Sequence, residues 1–189
     1  MLEQIFNAAS PDSTTFSNAA SLPLGKIDIT ITSSGEWLYE GSKFKRRSMV
    51  KLLADKLYTL DGEYYLLAPE QRLKIRVDDL PFTVTEVDRQ ERNGVAVIVA
   101  TTNCEENLML GVDHPLVLLP KGASKGVSGA DTDLLPALFV RNGLYARFSR
   151  PAYYHLVGWA KQEPLSASDV SAYELALYSD GERFVMGRY

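Results

Sequence analysis

Strict alternation begins at Ile27: Ile27, Ile29 and Ile31 fall on one side of an extended chain and Asp28, Thr30 and Thr32 on the other, the period of a half-buried strand. Ser33-Ser34-Gly35 turns the chain into a second strand, Glu36 to Glu40, whose Trp37 and Tyr39 share a face. After Gly41 the period lengthens. Met49, Leu52, Leu53 and Leu57 stand at i, i+3, i+4 and i+8, the stripe of a helix with one buried side, and Asp61-Gly62 predicts a turn behind it. Strand-like runs follow at Tyr64–Ala68, Leu73–Val77, Phe82–Val87, Val95–Thr102, Leu108–Val112 and Leu116–Leu119, divided by Gly, Pro, Asn or Asp. No helix-length segment separates them to carry a parallel crossover, so the pattern predicts antiparallel strands.

Lys121 to Asp133 is rich in small residues and predicts a flexible loop. The opening pattern then returns in shortened form: a strand at Leu138–Val140, a turn at Arg141-Asn142-Gly143, a strand at Leu144–Phe148, and a helix from Pro151. Ala152, His155, Leu156 and Trp159 lie on one side of that helix, with His155 as a core histidine and Ser149 as the cap. A hairpin closes the chain around Asp180-Gly181, with Leu177 opposite Phe184 and Leu175 opposite Met186. Two echoes suggest duplication. Trp37-Leu38-Tyr39 and Arg47 match Gly143-Leu144-Tyr145 and Arg150, and Leu73–Phe82 matches Leu108–Leu116 through a shared Val-Asp and a nearby proline. The pattern therefore predicts an α+β chain with a flexible leader over 1–22 and two related halves, 23–90 and 91–161. Each half is a small antiparallel sheet with one helix, and a β-hairpin extension occupies 162–189.

Composition narrows the function classes. In 189 residues, 46% hydrophobic and 23% charged, collagen-like, coiled-coil and wholly disordered classes are excluded. One cysteine and two histidines exclude an intrachain disulfide and the usual zinc ligand sets. A formal charge of −4 argues against polymeric nucleic acid as partner, though not against a small phosphorylated ligand. No run approaches the roughly 20 apolar residues of a membrane span, and the N-terminus lacks the basic start of a signal peptide. A cytoplasmic chain with no membrane partner is expected.

Candidate chemistry centres on cations. Lys43, Lys45, Arg46, Arg47 and Lys51 cluster where the first helix should begin, the end of the helix dipole that disfavours positive charge. Either surface carboxylates or a bound phosphate would compensate them. Arg47 and Arg150, at related helix starts, could clamp one phosphorylated ligand between the halves. Lys74, Arg76 and Asp78 alternate on one strand face, either its wet side or a wall of the same site. Asp78-Asp79 also reads as an ordinary turn before Pro81. Asp113-His114 offers a pH-sensitive ligand contact or a loop histidine bonding a carbonyl. Tyr154, with Tyr145, Tyr153 and Trp159, could stack a base or fill the core. Gly122-Ala123-Ser124-Lys125-Gly126 matches the nucleophile elbow, with Asp131 or Asp133 and His155 downstream. Its context, a loop between Pro120 and Gly129, is not the required strand-to-helix turn. No catalytic residue, metal ligand or cofactor is assigned.

The segments Gly35-Glu36-Trp37-Leu38-Tyr39-Glu40-Gly41, Tyr65–Glu70, Ile75–Phe82 and His114-Pro115-Leu116 resemble the bacterial family called domain of unknown function 1285, over roughly Pro23 to Ala160. The resemblance implies a duplicated two-domain α+β fold and a pleckstrin-homology-like C-terminal half. It also implies a nucleotide-type ligand between the domains and a role in signalling, with no assigned enzymatic activity. The resulting expectation is a non-enzymatic protein that binds a small anionic, nucleotide-like ligand. Arg46, Arg47, Lys74, Arg76, Asp78, Asp113, His114, Arg150 and Tyr154 are its candidate contacts. The alternatives are a serine hydrolase using Ser124 and His155, and an interaction module whose C-terminal hairpin pairs with a protein partner.

Overall fold

Five two-residue turns set the strand connections: Glu40-Gly41, Asp61-Gly62, Asn93-Gly94, Asn142-Gly143 and Asp180-Gly181 all have positive φ at both positions. That is the mirror-image turn whose twist matches paired strands. In this computed structural model, residues 5, 16, 18–122, 134–166 and 169–188 are described. The element order is β1 (Leu24–Ile31), β2 (Trp37–Tyr39), β3 (Ser42–Lys43), α1 (Arg47–Ala54), β4 (Leu57–Leu60), β5 (Glu63–Ala68) and β6 (Gln71–Val77). It continues with β7 (Phe82–Arg92), β8 (Val95–Thr102), β9 (Asn107–Leu110), β10 (Leu116–Pro120), β11 (Leu134–Arg141) and β12 (Leu144–Phe148). The chain ends with α2 (Arg150–Trp159), β13 (Lys161–Ser166), β14 (Asp169–Ser179) and β15 (Glu182–Arg188).

The first half is one sheet in the order β3-β2-β1-β6-β5-β4, with α1 packed on it. Alternation decides its faces: Leu73, Ile75 and Val77 of β6 enter the core while Lys74 and Arg76 point away. Tyr64 and Leu66 of β5 join the same core, and Tyr65 and Leu67 join a smaller cluster on the opposite face. The second half is a sheet β10-β11-β12-β7-β8-β9 and a three-stranded sheet β13-β14-β15. Leu177, Phe184 and Met186 of the latter share a core with Ile98, Leu110 and Leu138 of the former.

Several expectations need correcting. The sheets are not wholly antiparallel, because β1 pairs β6 and β12 pairs β7 in parallel. The crossovers are composite, running through a helix and strands or through strands alone, so helix spacing could not reveal them. Leu57 leaves the helical stripe: α1 ends at Ala54, and Leu57 is buried in β4. The sheets divide within Asp78–Pro81 rather than at 90, since β7 hydrogen-bonds to β8 and β12. Residues 162–166 and 169–188 complete the second half instead of extending from it. Ser179 donates to the Leu110 carbonyl at 2.6 Å and accepts from the Ile98 amide at 2.9 Å. A bulge sets Leu175 opposite Gly187, not Met186, while Leu177 does face Phe184. In the leader expected to be flexible, Ile5 is buried in the main core and Phe16, Ala19 and Leu22 pack on Tyr58, Tyr65 and Leu67. Phe16 and Tyr58 meet at 5.7 Å between ring centres. Among the described residues no helix is long and apolar enough to cross a membrane.

One buried pair ties the second half to the link between sheets. Arg147 of β12 donates Nε to Asp79 Oδ2 at 2.8 Å and a terminal nitrogen to Oδ1 at 2.9 Å. Its remaining donors reach the carbonyls of Leu119, Pro120 and Leu135, and the Gly122 amide donates to Asp79 at 2.8 Å. Both side chains are about one-tenth exposed. Breaking such a pair leaves an uncompensated buried charge, so Arg147→Met or Asp79→Leu alone should each cost about 3–5 kcal/mol in urea unfolding. The double variant Asp79→Leu/Arg147→Met should recover much of that loss.

Candidate functional site at the junction of the halves

Each half presents to the other the turn of the hairpin that precedes its own helix. Gly35, between β1 and β2, has φ +81°, and its carbonyl accepts from Asn103 Nδ2 at 2.8 Å. A Cβ on Gly35 would lie 2.5 Å from Thr83 Oγ1, so only glycine permits this approach. Asn103 also accepts from the Thr83 amide at 3.0 Å, bracing the contact from the second half. Reciprocally, a Cβ on Gly143, between β11 and β12, would lie 2.9 Å from Thr59 Cγ2 of the first half. Arg141, beside that turn, donates to the Ala54 carbonyl at 2.9 Å, pairs with Glu106 and lies over the Phe82 ring at 5.1 Å. The two turns and the Ala54 carbonyl at the end of α1 thus lock the halves together.

Beside the Gly35–Asn103 contact is a crevice of about 240 Å³ between the halves, bordered by Ser34, Trp37, Lys43, Phe44, Arg47 and Asn103. Lys43 pairs with Glu36, which also lines the crevice, and Arg47 stands 3.9 Å from Glu105 with its side chain 91% exposed. Trp37 is buried, and its indole N–H, shielded from solvent, has no hydrogen-bond partner among the described residues. A buried donor left unmade costs free energy. α1 begins here with no acidic residue in its first turn and no side-chain cap, so the positive end of its dipole adds to the two cations. Cys104, also at this junction, is buried; burial first, then the nearby Glu106 carboxylate, push its thiol up to about 12. It is an inert core group.

Of the nine residues expected to contact a ligand, Arg47 borders this crevice. Arg46 is exposed and takes the N-cap position with extended backbone. Lys74 pairs with Glu63 at 3.0 Å and Arg76 with Asp28 at 3.8 Å, around an open notch on the outer face of the first sheet. Asp78 lies past the end of β6, its amide bonded to the Ile31 carbonyl at 2.9 Å. Asp113 is exposed, and His114 bonds the Phe139 carbonyl through Nδ1 at 3.2 Å. Arg150 is exposed in the first turn of α2, capped by Ser149, and shares no partner with Arg47 among the described contacts. Tyr154 is 63% exposed beside Tyr153. His155, expected in the core, is exposed and edge-on to Trp159, because Ala152 and Leu156 at i, i+4 take the buried stripe and His155 sits on its shoulder. Ser124, Asp131 and Asp133 lie outside the described residues, and no cluster of metal-ligating side chains occurs among those described. Asn103, Ser34 and Phe44 went unnoticed in the sequence. A contact spanning 68 positions, such as Asn103 to Gly35, leaves no local signal.

The two halves correspond to two family models: the N-terminal domain of domain of unknown function DUF1285 over residues 22–80, and the C-terminal domain of DUF1285 over 81–186. The chain belongs to the DUF1285 family. The boundary of the DUF1285 domains at 80/81 coincides with the Asp78–Pro81 link between the sheets. A DUF1285 family protein from Silicibacter pomeroyi DSS-3 superposes with a TM-score of 0.72 at 24% identity, covering 95% of this chain and 89% of that one. One from Shewanella baltica OS155 gives 0.50 at 20% identity, over 69% and 90%. Both likenesses concern the fold. No curated protein matches the chain.

The reciprocal glycines are separable from ordinary turn glycines. Gly62 has φ +77° with nothing within 4 Å of an added Cβ, so Gly62→Ala should cost only the left-handed strain, about 1 kcal/mol. Gly35→Ala adds a clash with Thr83 and should cost clearly more; equal melting temperatures for the two variants would show that the approach is not tight. At pH 8 Cys104 should resist a thiol reagent until the protein is unfolded.

Proposed function

We propose that this DUF1285 protein is a non-enzymatic binding protein whose crevice between the two halves takes a small anionic, nucleotide-like ligand, with a role in bacterial signal transduction. The observation that carries the reading is the conjunction, at one inter-half crevice, of Lys43, Arg47 and the open start of α1. Cations and free helix amides suit a phosphate. Phe44, half-buried on the same wall and 6.2 Å from Tyr39, offers a flat apolar surface for a base. A ligand held by Lys43 on one half and Asn103 on the other would bridge the two halves.

The reading is tested by thermal unfolding of the full chain with mono-, di- and cyclic nucleotides. A ligand at one hundred times its dissociation constant stabilises by about 2.7 kcal/mol. One nucleotide class should raise the melting temperature of the wild type and of Arg150→Ala, whose arginine lies off the crevice. Arg47→Ala and Lys43→Ala should abolish the shift while keeping the ligand-free melting temperature, since both side chains are exposed. No shift with any nucleotide would overturn the proposal.

A further inference from the structure

Between the two sheets of the second half, β10 and β11 on one side and β15 on the other bound a groove of about 770 Å³. Its walls are Leu116, Leu118, Leu134, Leu135 and Val185, and Leu134 is 56% exposed. Arg188 is the one charged side chain among the lining residues. A cavity of this size, apolar except for one polar group at a fixed point, has the proportions of a small-molecule site.

Gly187 sharpens the reading. It sits inside β15, where glycine weakens a strand and where close approach of a ligand is one of its recognised uses. Its φ is not in the left-handed region, and an added Cβ would meet nothing within 4 Å. The strand bulge that sets Leu175 opposite Gly187 accommodates a glycine here, and the missing side chain leaves open space where Gly187 lines the groove. Arg188 is held at one nitrogen only. Its Nε donates to Glu174 Oε1 at 3.1 Å, and its terminal nitrogens have no described partner, with the side chain 67% exposed. The surrounding network carries a surplus of positive charge. Glu163 and Glu174 are set against Lys161, Arg183 and Arg188; hydrogen bonds from Tyr178 and Arg183 hold the Glu163 carboxyl below its ordinary range, and those from Arg183 and Arg188 do the same for Glu174.

We infer that this groove binds a free single-chain amphiphile with a carboxylate head, its alkyl chain along Leu116, Leu134 and Val185 past Gly187 and its head on the terminal nitrogens of Arg188. An alkyl chain makes no hydrogen-bond demand on the apolar walls, and a carboxylate matches the two parallel donors of a guanidinium. The site lies wholly within the second half and does not depend on the crevice reading.

Calorimetric titration of the full chain with dodecanoate, below its micellar concentration, tests the inference. Saturable binding is expected, with dodecanol weaker by about tenfold or more for want of the ion pair. Gly187→Leu fills open space without backbone strain, so it should keep the melting temperature and lose dodecanoate binding. Arg188→Gln should bring dodecanoate down to the level of dodecanol, and Arg47→Ala should change nothing. No saturable binding, or binding that Gly187→Leu leaves intact, would overturn the site. Co-sedimentation with phosphatidylglycerol vesicles that Gly187→Leu abolishes would overturn the free ligand in favour of a membrane lipid.

Discussion

The arrangement of the second half, and its attachment to the first, depends on one buried ion pair. Asp79 stands in the short link between the sheets, and Arg147 lies sixty-eight positions downstream in β12. A carboxylate taken out of water is tolerable only when its lone pairs are met, and here two guanidinium donors and the Gly122 amide meet them. The same guanidinium spends its other hydrogens on three carbonyls of β10 and β11. Link, strand and neighbouring edge are thereby fixed by a single charge. Tyr64 of the first half lies close enough that burial, reinforced by the Asp79 charge, pushes its hydroxyl up to about 12. It stays a neutral neighbour that does not compete for Arg147. Stability linked to Tyr64 is present below pH 10 and is lost as the pH climbs toward about 12.

With the link pinned, the duplicated hairpins can dock reciprocally. The turn before α1 meets Thr83 and Asn103, and the turn before α2 meets Thr59, with Arg141 reaching the end of α1. Duplicated units thus serve the interface with their equivalent turns. Beyond the helices the two halves diverge. The three strands after α1 join the same sheet as β1, while those after α2 form a separate sheet. That difference gives the second half two packed sheets, with the groove between them.

Local structure was legible in the sequence wherever one residue pair or one period sufficed. The Ile27–Ile31 alternation, the Asp-Gly and Asn-Gly turns, the Ser149 cap and the Leu177–Phe184 pairing all rest on chemistry within a few residues. The duplication was visible for the same reason, because its echo is a repeated short pattern. Failures came where tertiary contacts decide. Leu57 fits the helical stripe, yet the stripe cannot show that α1 stops at Ala54 and that Leu57 buries equally well from a strand. The parallel pairs β1–β6 and β7–β12 join segments whose connection contains whole hairpins, so spacing pointed the wrong way.

The candidate site was only partly legible, for a related reason. A basic cluster at a helix start signals that something anionic must compensate it, and Arg47 was found on that ground. The sequence cannot say which cations share a cavity. Lys74 and Arg76 alternate correctly on β6, yet that face looks away from the junction. Arg150 begins the related helix, but equivalent positions in a duplicated fold need not converge when only the turns meet. Asn103 became a candidate solely through Gly35, whose missing side chain lets two distant segments touch. Gly187 works on the same physics in the second half: absence of a side chain creates space that no apolar or charged pattern announces. Gly35 and Gly143 combine a left-handed backbone with a close neighbour across the junction, while Gly187 faces open space, and those surroundings require coordinates to interpret.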